Sequence, residues 1–348
     1  MTIVVSILGL ILLIVIHELG HMLTAKAVGV RVPEFGVGFG PALFKKKFGK
    51  TIYSFRIILL GGFAKMAGMG DGETGPGTYY EKSAWRRAAI IFAGPFANFL
   101  AAVVILAGVF MFSGVITGAT NEVRAVEPGS MAAAEGVQAG DRIVAVDGES
   151  VGTWEDFTSV VAEKRPGDET VLAVERGGER LTIEGTLGEN PDSPGNALVG
   201  VSPELVRETY GPLESVWLAL EQIGRILVAL GGFVGQLVTG QESFYDNVTG
   251  PVGIVSVSSE SVSQGIYPVL LAFISLNLAV FNLLPVLPLD GGHLLFIALE
   301  KVFRRPISEE TMNRVALLGL MLVLTLFLFA TYADLSKIFT GQPFIPDQ

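Results

Sequence analysis

The sequence predicts a polytopic α-helical membrane protein of about four transmembrane helices, with a membrane-associated β-hairpin region and one α+β domain inserted on the extracytoplasmic side. Three observations predict it. Half of the 348 residues are hydrophobic and only 17% are charged, against about 25% charged in ordinary soluble domains. The hydrophobic residues gather into blocks that reach the roughly 20 residues a helix needs to cross a bilayer. One central block is instead polar and acidic, which marks a separate water-facing module.

The apolar blocks are residues 2–27, 88–112, 268–299 and 312–333. The first lacks a positively charged start and a small-residue cleavage site, so it reads as a retained span and not a signal peptide. The third carries Pro285 and Pro288 in its middle, which interrupt a helix by removing backbone donors. Residues 216–238 offer a fifth span or an interfacial helix, and Glu221, Gln222 and Arg225 share one face near the start. That pattern predicts an amphipathic helix lying in the interface.

Charge orients the spans. Residues 28–87 hold ten Lys and Arg, among them Lys45, Lys46 and Lys47, against four acids, and Lys301, Arg304, Arg305 and Arg314 precede the last span. Residues 117–216 hold seven basic and nineteen acidic residues. Basic loops stay in the cytoplasm. The expected placement is the inner (plasma) membrane, multi-pass, with the acidic domain and both termini extracytoplasmic.

Between the first two spans, residues 36–66 contain alternating and Gly-rich segments, including Gly61-Gly62-Phe63. Strand-like backbone beside a membrane carries unpaired edges, and such an edge suits an extended partner strand. In the acidic block, residues 142–146, 170–174 and 180–183 alternate as strands, with turn signals at Asp147-Gly148, Pro166-Gly167-Asp168 and Gly177-Gly178. Residues 154–164 read as a helix. The resulting division is 1–115 for the first part of the membrane core, 116–203 for the inserted domain, 204–265 for an interfacial segment and 266–348 for the rest of the core.

The chemistry is concentrated in His17-Glu18-Leu19-Gly20-His21, inside the first span. Residues four apart share a helical face, so both imidazoles can hold one metal ion while Glu18 reaches its edge. Histidines merely packed in a bundle would leave three polar groups seeking partners in lipid. Catalytic zinc takes three protein ligands and leaves a position open. The best third ligand is Asp290, the sole acid between Gly265 and Leu299, since a carboxylate at bilayer depth should be paired or coordinating. Gly291-Gly292 beside it suggests close approach to the first helix. His293 is expected nearer the cytoplasmic rim, in packing or hydrogen bonding. The chain has no cysteine, which excludes disulfides and thiolate metal sites. A net charge of −10 gives no basic face for nucleic acid.

Together these segments resemble the site-2 protease family of intramembrane metalloproteases, in its bacterial branch with a PDZ domain. The resemblance rests on the HExxH motif and on the hairpin region of residues 36–66. It rests also on Phe92-Ala93-Gly94-Pro95-Phe96-Ala97-Asn98 and on the stretch Asn282 to Gly292 with its Leu-Asp-Gly. One departure is Leu287, where the family often has proline. The inserted domain is similar to bacterial PDZ modules through Val126-Glu127-Pro128-Gly129 and Gly140-Asp141-Arg142-Ile143.

The resemblance implies a zinc metalloendopeptidase of regulated intramembrane proteolysis, with Zn²⁺ on His17, His21 and Asp290 and Glu18 as general base. It implies substrate contacts at Asn282, Pro285, Gly61, Gly62 and Phe63. Expected partners are single-span transmembrane substrates of the anti-sigma-factor or signal-peptide-remnant type, membrane lipid, and a peptide for the PDZ domain, which alternatively excludes bulky substrates. A zinc transporter is a rival but would need ligands strung across the bilayer, and an inactive PDZ scaffold is a second rival.

Overall fold

A computed structural model describes residues 2–70, 72–191, 193–240, 249–305 and 307–340. The chain separates into two units, one of residues 1–109 with 212–346 and one of residues 110–211. The C-terminal residues 341–348, expected outside the cytoplasm, lie outside the described residues, as do 241–248 within the 204–265 segment.

In the first unit, α1 (Thr2–Ala27) is an apolar helix that ends before Gly29, whose φ of +78° continues no right-handed helix. Strands β1 (Glu34–Phe48) and β2 (Thr51–Lys65) follow, joined by the tight turn Gly49-Lys50. Each strand is bent and serves twice. Residues 44–48 pair antiparallel with 51–55, while Glu34 to Val37 pair with Ile52 to Phe55 on one side and with Lys65 to Gly62 on the other. Residues 62–65 therefore form an outer edge, with no strand on their far side among the described residues. Arg56 and Ser54 donate to Glu34 Oε1 at 2.7 and 2.8 Å. Burial opposes the Glu34 charge, but these two donors outweigh it and hold its pKa below the usual carboxylate range.

Helix α2 (Ala84–Phe112) carries Pro95 within it. A core of Met22, Ala25, Phe35, Met66, Ile90 and Ile91 packs the end of α1, the sheet and the start of α2 together, with Ile297 added from a later helix. That packing fixes α1 and α2 side by side where the histidines lie.

Helix α5 (Pro212–Thr239) runs 28 residues without a break. By length and composition its stretch 212–237 is enough to cross a membrane, so both a span and the expected interfacial helix suit it. The single polar face near its start, read as the mark of an interfacial helix, occupies only one turn. Helices α1, α2 and α9 (Glu309–Thr340) also meet that criterion. The third expected span, by contrast, is two helices, α7 (Tyr267–Asn282) and α8 (Asp290–Phe303), separated by a turn that holds Pro285 and Pro288. Proline supplies no N–H and pushes its predecessor out of helical backbone, so the apolar run cannot stay one helix. Between α5 and α7, α6 (Pro251–Ser263) has its N-terminus held by the buried Asp334 carboxylate, which accepts from Gly250 N–H at 2.9 Å and Gly253 N–H at 2.8 Å.

The second unit is built on a sheet in the order β10-β3-β4-β6-β7. Its strands are β3 (Val115–Val126), β4 (Arg142–Val146), β6 (Glu169–Arg176), β7 (Glu179–Thr186) and β10 (Val201–Glu208), with the short β5 (Glu149–Ser150), β8 (Gly188–Glu189) and β9 (Ala197–Leu198) beside them. The unit extends past residue 203 because β10 pairs back along β3 as far as Glu208 with Val115. Alternate residues Ile143, Leu172, Val174 and Ile183 face inward onto Phe157 and Val161 of α4 (Trp154–Ala162). The helix starts with a capping box between Thr153 and Asp156, and a single turn, α3 (Met131–Ala134), adds Met131 and Ala132 to the same core.

Candidate metal centre

His17 and His21 share a face of α1 because they are one turn apart, and Asp290 opens α8 at its first helical position. A residue there lies close to the positive end of the helix dipole, where negative charge is favoured. The break after α7 is what presents Asp290 at a helix start instead of mid-helix. The structure brings all three together. Asp290 Oδ2 lies 3.1 Å from His17 Nε2 and 3.3 Å from His21 Nε2, and the two Nε2 atoms are 3.2 Å apart.

These are three electron-pair-bearing atoms in a small, largely buried space. Asp290 Oδ2 is buried and makes no hydrogen bond of acceptable geometry despite its nearness to both rings. A buried oxygen without a donor costs free energy, and a cation shared with the imidazoles removes that cost. His21 Nδ1 lies 2.9 Å from the Ile90 carbonyl. The carbonyl can only accept, so Nδ1 carries the hydrogen and Nε2 turns its lone pair toward Asp290. The donor set of two imidazole nitrogens and one carboxylate fits zinc. Among the described residues, this is the one group of three or more potential ligands close enough to hold an ion.

Glu18 is half-buried at the edge of this cluster, beside the Ala64 backbone. A Cβ placed on Gly62 would meet Glu18 Cγ at 2.9 Å, so the strand edge runs directly past the carboxylate. Gly61 and Phe63 flank it on the same edge. Asn282 and Pro285 are placed differently. The Asn282 amide donates to Leu278 O at 2.9 Å within its own helix, and Pro285 is exposed in the turn.

Gly291 and Gly292 also correct an expectation. Side chains there would run into the backbone of Leu283, Leu284, Val286 and Leu287, so these glycines make room for the preceding turn and not for α1. His293 lines a small cavity with Tyr79, Arg87, Phe296 and Glu300, apart from the metal ligands. Sequence reasoning missed the α2 contribution: Ile90 and Gly94 both touch the His21 ring. Their signal lay in the small residues of Ala93-Gly94-Pro95, which permit a close neighbour without naming it.

Comparison with known proteins agrees with this chemistry. A family model described as peptidase family M50 matches residues 5–326. A protein of Agrobacterium fabrum named as a candidate zinc metalloprotease is 36% identical, over 97% of this chain and 96% of its own length. The zinc metalloprotease RasP of Shouchella clausii is 31% identical, over 94% of this chain and 97% of its own. Part of the chain is also similar to the solved PDZ domain of an SdrC-like protein from Listeria monocytogenes, with a TM-score of 0.22 and 20% identity, covering 26% of this chain and 92% of that one. With a family model along most of its length and relatives matched nearly end to end, the chain belongs to peptidase family M50, a family of zinc metalloproteases.

Proposed function

We propose that the chain hydrolyses peptide bonds within the membrane-spanning segments of single-span proteins, with zinc held by His17, His21 and Asp290. The observation that carries this reading is the convergence of three ligand atoms, one of them a buried carboxylate oxygen without a donor, inside apolar helices. Charged groups at bilayer depth are costly, and a buried hydrolytic centre accounts for that cost.

Zinc, when bound, supplies a Lewis acid that polarises the scissile carbonyl and acidifies water. The remaining chemistry belongs to the chain. Glu18 accepts the proton of the attacking water at its carboxylate and returns it to the leaving nitrogen. The edge at Gly61, Gly62 and Phe63 pairs with substrate backbone and holds it extended, which exposes a peptide bond that a helix would hide. Gly62 leaves space there for a second backbone beside Glu18. Asn282 and Pro285 serve the substrate at the α7–α8 turn, where helical hydrogen bonding is already broken.

The basic loops 28–87 and 301–314 lie in the cytoplasm, and the acidic domain and both termini lie outside it. On that count α5 rests in the interface. A spanning α5, which its length favours, would put Lys301 to Arg305 on the outer side. The native chain has no cysteine, so Lys50→Cys, Glu163→Cys and Arg305→Cys each give one label site. Labelling of intact cells by a membrane-impermeant maleimide is expected at position 163 only, and labelling at 305 overturns the interfacial placement. The PDZ-like domain receives a peptide or turns away bulky substrates.

Glu18→Gln tests the function. It is expected to keep zinc while cleavage within a single-span reporter falls by about 10²–10⁴-fold. Unchanged cleavage removes Glu18 from the reaction, and a protein that takes up no zinc removes the whole reading.

A further inference from the structure

Helix α2 presents three consecutive i+4 positions to the histidines of α1. The Ile90 carbonyl faces His21 Nδ1 at 2.9 Å, Gly94 lies against the His21 ring, and the Asn98 side-chain nitrogen lies 3.4 Å from His17 Nδ1. Asn98 is fully buried, and its backbone carbonyl accepts from the buried Ser275 hydroxyl at 2.8 Å, which ties this point of α2 to α7. Its side-chain oxygen is buried without a hydrogen-bond partner. That polar side chain has one conspicuous neighbour, the outer nitrogen of a candidate metal ligand.

The two ends of a side-chain amide exchange places by rotation about one torsion, and the hydrogen-bond network decides between them. With the NH₂ end toward the ring, Nδ1 must accept, so the ring hydrogen sits on Nε2 and points into the ligand cluster, where it blocks a cation. With Oδ1 toward the ring, Nδ1–H donates, the orphaned oxygen gains its partner, and Nε2 is left bare 3.1 Å from Asp290 Oδ2. Ile90 performs the same service for His21, about two helical turns away on the same face.

We propose that Asn98 is a positioning residue of the metal centre: its Oδ1 accepts the His17 Nδ1–H and fixes the tautomer whose Nε2 binds the ion. The proposal rests on zinc occupying the His17, His21 and Asp290 cluster. Hydrogen-bond partners of this kind, one bond removed from the ion, change metal affinity by about 10–100-fold when lost.

The test uses the purified full-length chain in detergent, with zinc affinity measured by competition against a chromogenic chelator. Asn98→Leu matches the volume and removes the acceptor, and is expected to weaken zinc by about 10–100-fold. Asn98→Asp keeps an oxygen at the same reach and is expected to restore affinity to near the native value. A role in helix packing alone predicts the opposite order, because the carboxylate is the worse fit in a buried helix contact. Should Asn98→Leu fail to fold, judged by its elution profile and the unfolding midpoint of the metal-free protein, Asn98→Ala carries the same comparison with Asn98→Asp. Native zinc affinity in the leucine or alanine variant overturns the proposal, as does equal loss in the aspartate variant. Failure of the native chain to bind zinc falls on the metal centre itself and is seen before any variant is compared.

Discussion

Gly94 of α2 stands against the imidazole of His21 so closely that a Cβ at residue 94 would overlap the ring. Together with the hydrogen bond from His21 Nδ1 to the Ile90 carbonyl, this contact confines the ring at its Nε2 end, the end that faces Asp290. Helix α2 thus acts as a template for the metal ligands of α1.

Gly94→Ala tests that template. A methyl group cannot be absorbed by the helix backbone, so the ring must turn away from its present direction. Zinc affinity in the full chain is expected to drop by about 10-fold or more, with helical content by circular dichroism unchanged. Alanine favours helix over glycine by about 1 kcal/mol, so a loss of affinity here is not a loss of helix. Native affinity would show that the ring has room to spare.

Gly62→Val addresses the strand edge. The added side chain would press on Glu18 and stand where an extended substrate backbone is to pass. Cleavage of a single-span reporter is expected to fall by at least 10-fold, since misplacement of a catalytic group by about 1 Å costs on the order of 10²-fold. Zinc content by atomic absorption should be unchanged, because no metal ligand is touched. Parallel loss of zinc would assign Gly62 to the architecture of the centre and not to the substrate path.

Asp141 gives the inserted domain a pH dependence. Arg176 donates to both of its oxygens, at 2.6 and 2.8 Å, and the Gln138 N–H adds a third bond at 2.8 Å. The Arg176 bonds hold the Asp141 pKa below its ordinary value, so the folded domain binds fewer protons here than the unfolded chain. This stabilisation is complete above the unfolded carboxyl pKa of about 3.9 and is lost as pH falls from there through the folded value. Hydrogen-exchange protection of the β4 and β6 amides is expected to decline over that acid range. Asp141→Asn should lower protection at neutral pH and flatten the acid decline. An unaltered decline in the variant would place the sensitivity in another group.

Periodicity and turn chemistry made much of this architecture legible. The helix at Trp154 and the strands at residues 142–146, 170–174 and 180–183 follow from local alternation and capping, and the structure has elements there. The α7–α8 break follows from Pro285 and Pro288, although it yields two helices where one interrupted span was expected. The doubled pairing of β1 and β2 was not legible, because it depends on Glu34 to Val37 accepting partners on both sides, and no local pattern encodes a second partner.

The sequence by itself determined which residues carry the chemistry, because a chain with three histidines and one acid deep in its third apolar block leaves few ways to build a metal site. Helical spacing alone puts His17 and His21 on one face. Only the tertiary structure decided that Asp290 meets them, that α2 fixes the His21 ring, and that a glycine edge passes Glu18. Those relations join residues tens to hundreds of positions apart, and they depend on how apolar helices pack, which composition constrains but does not specify.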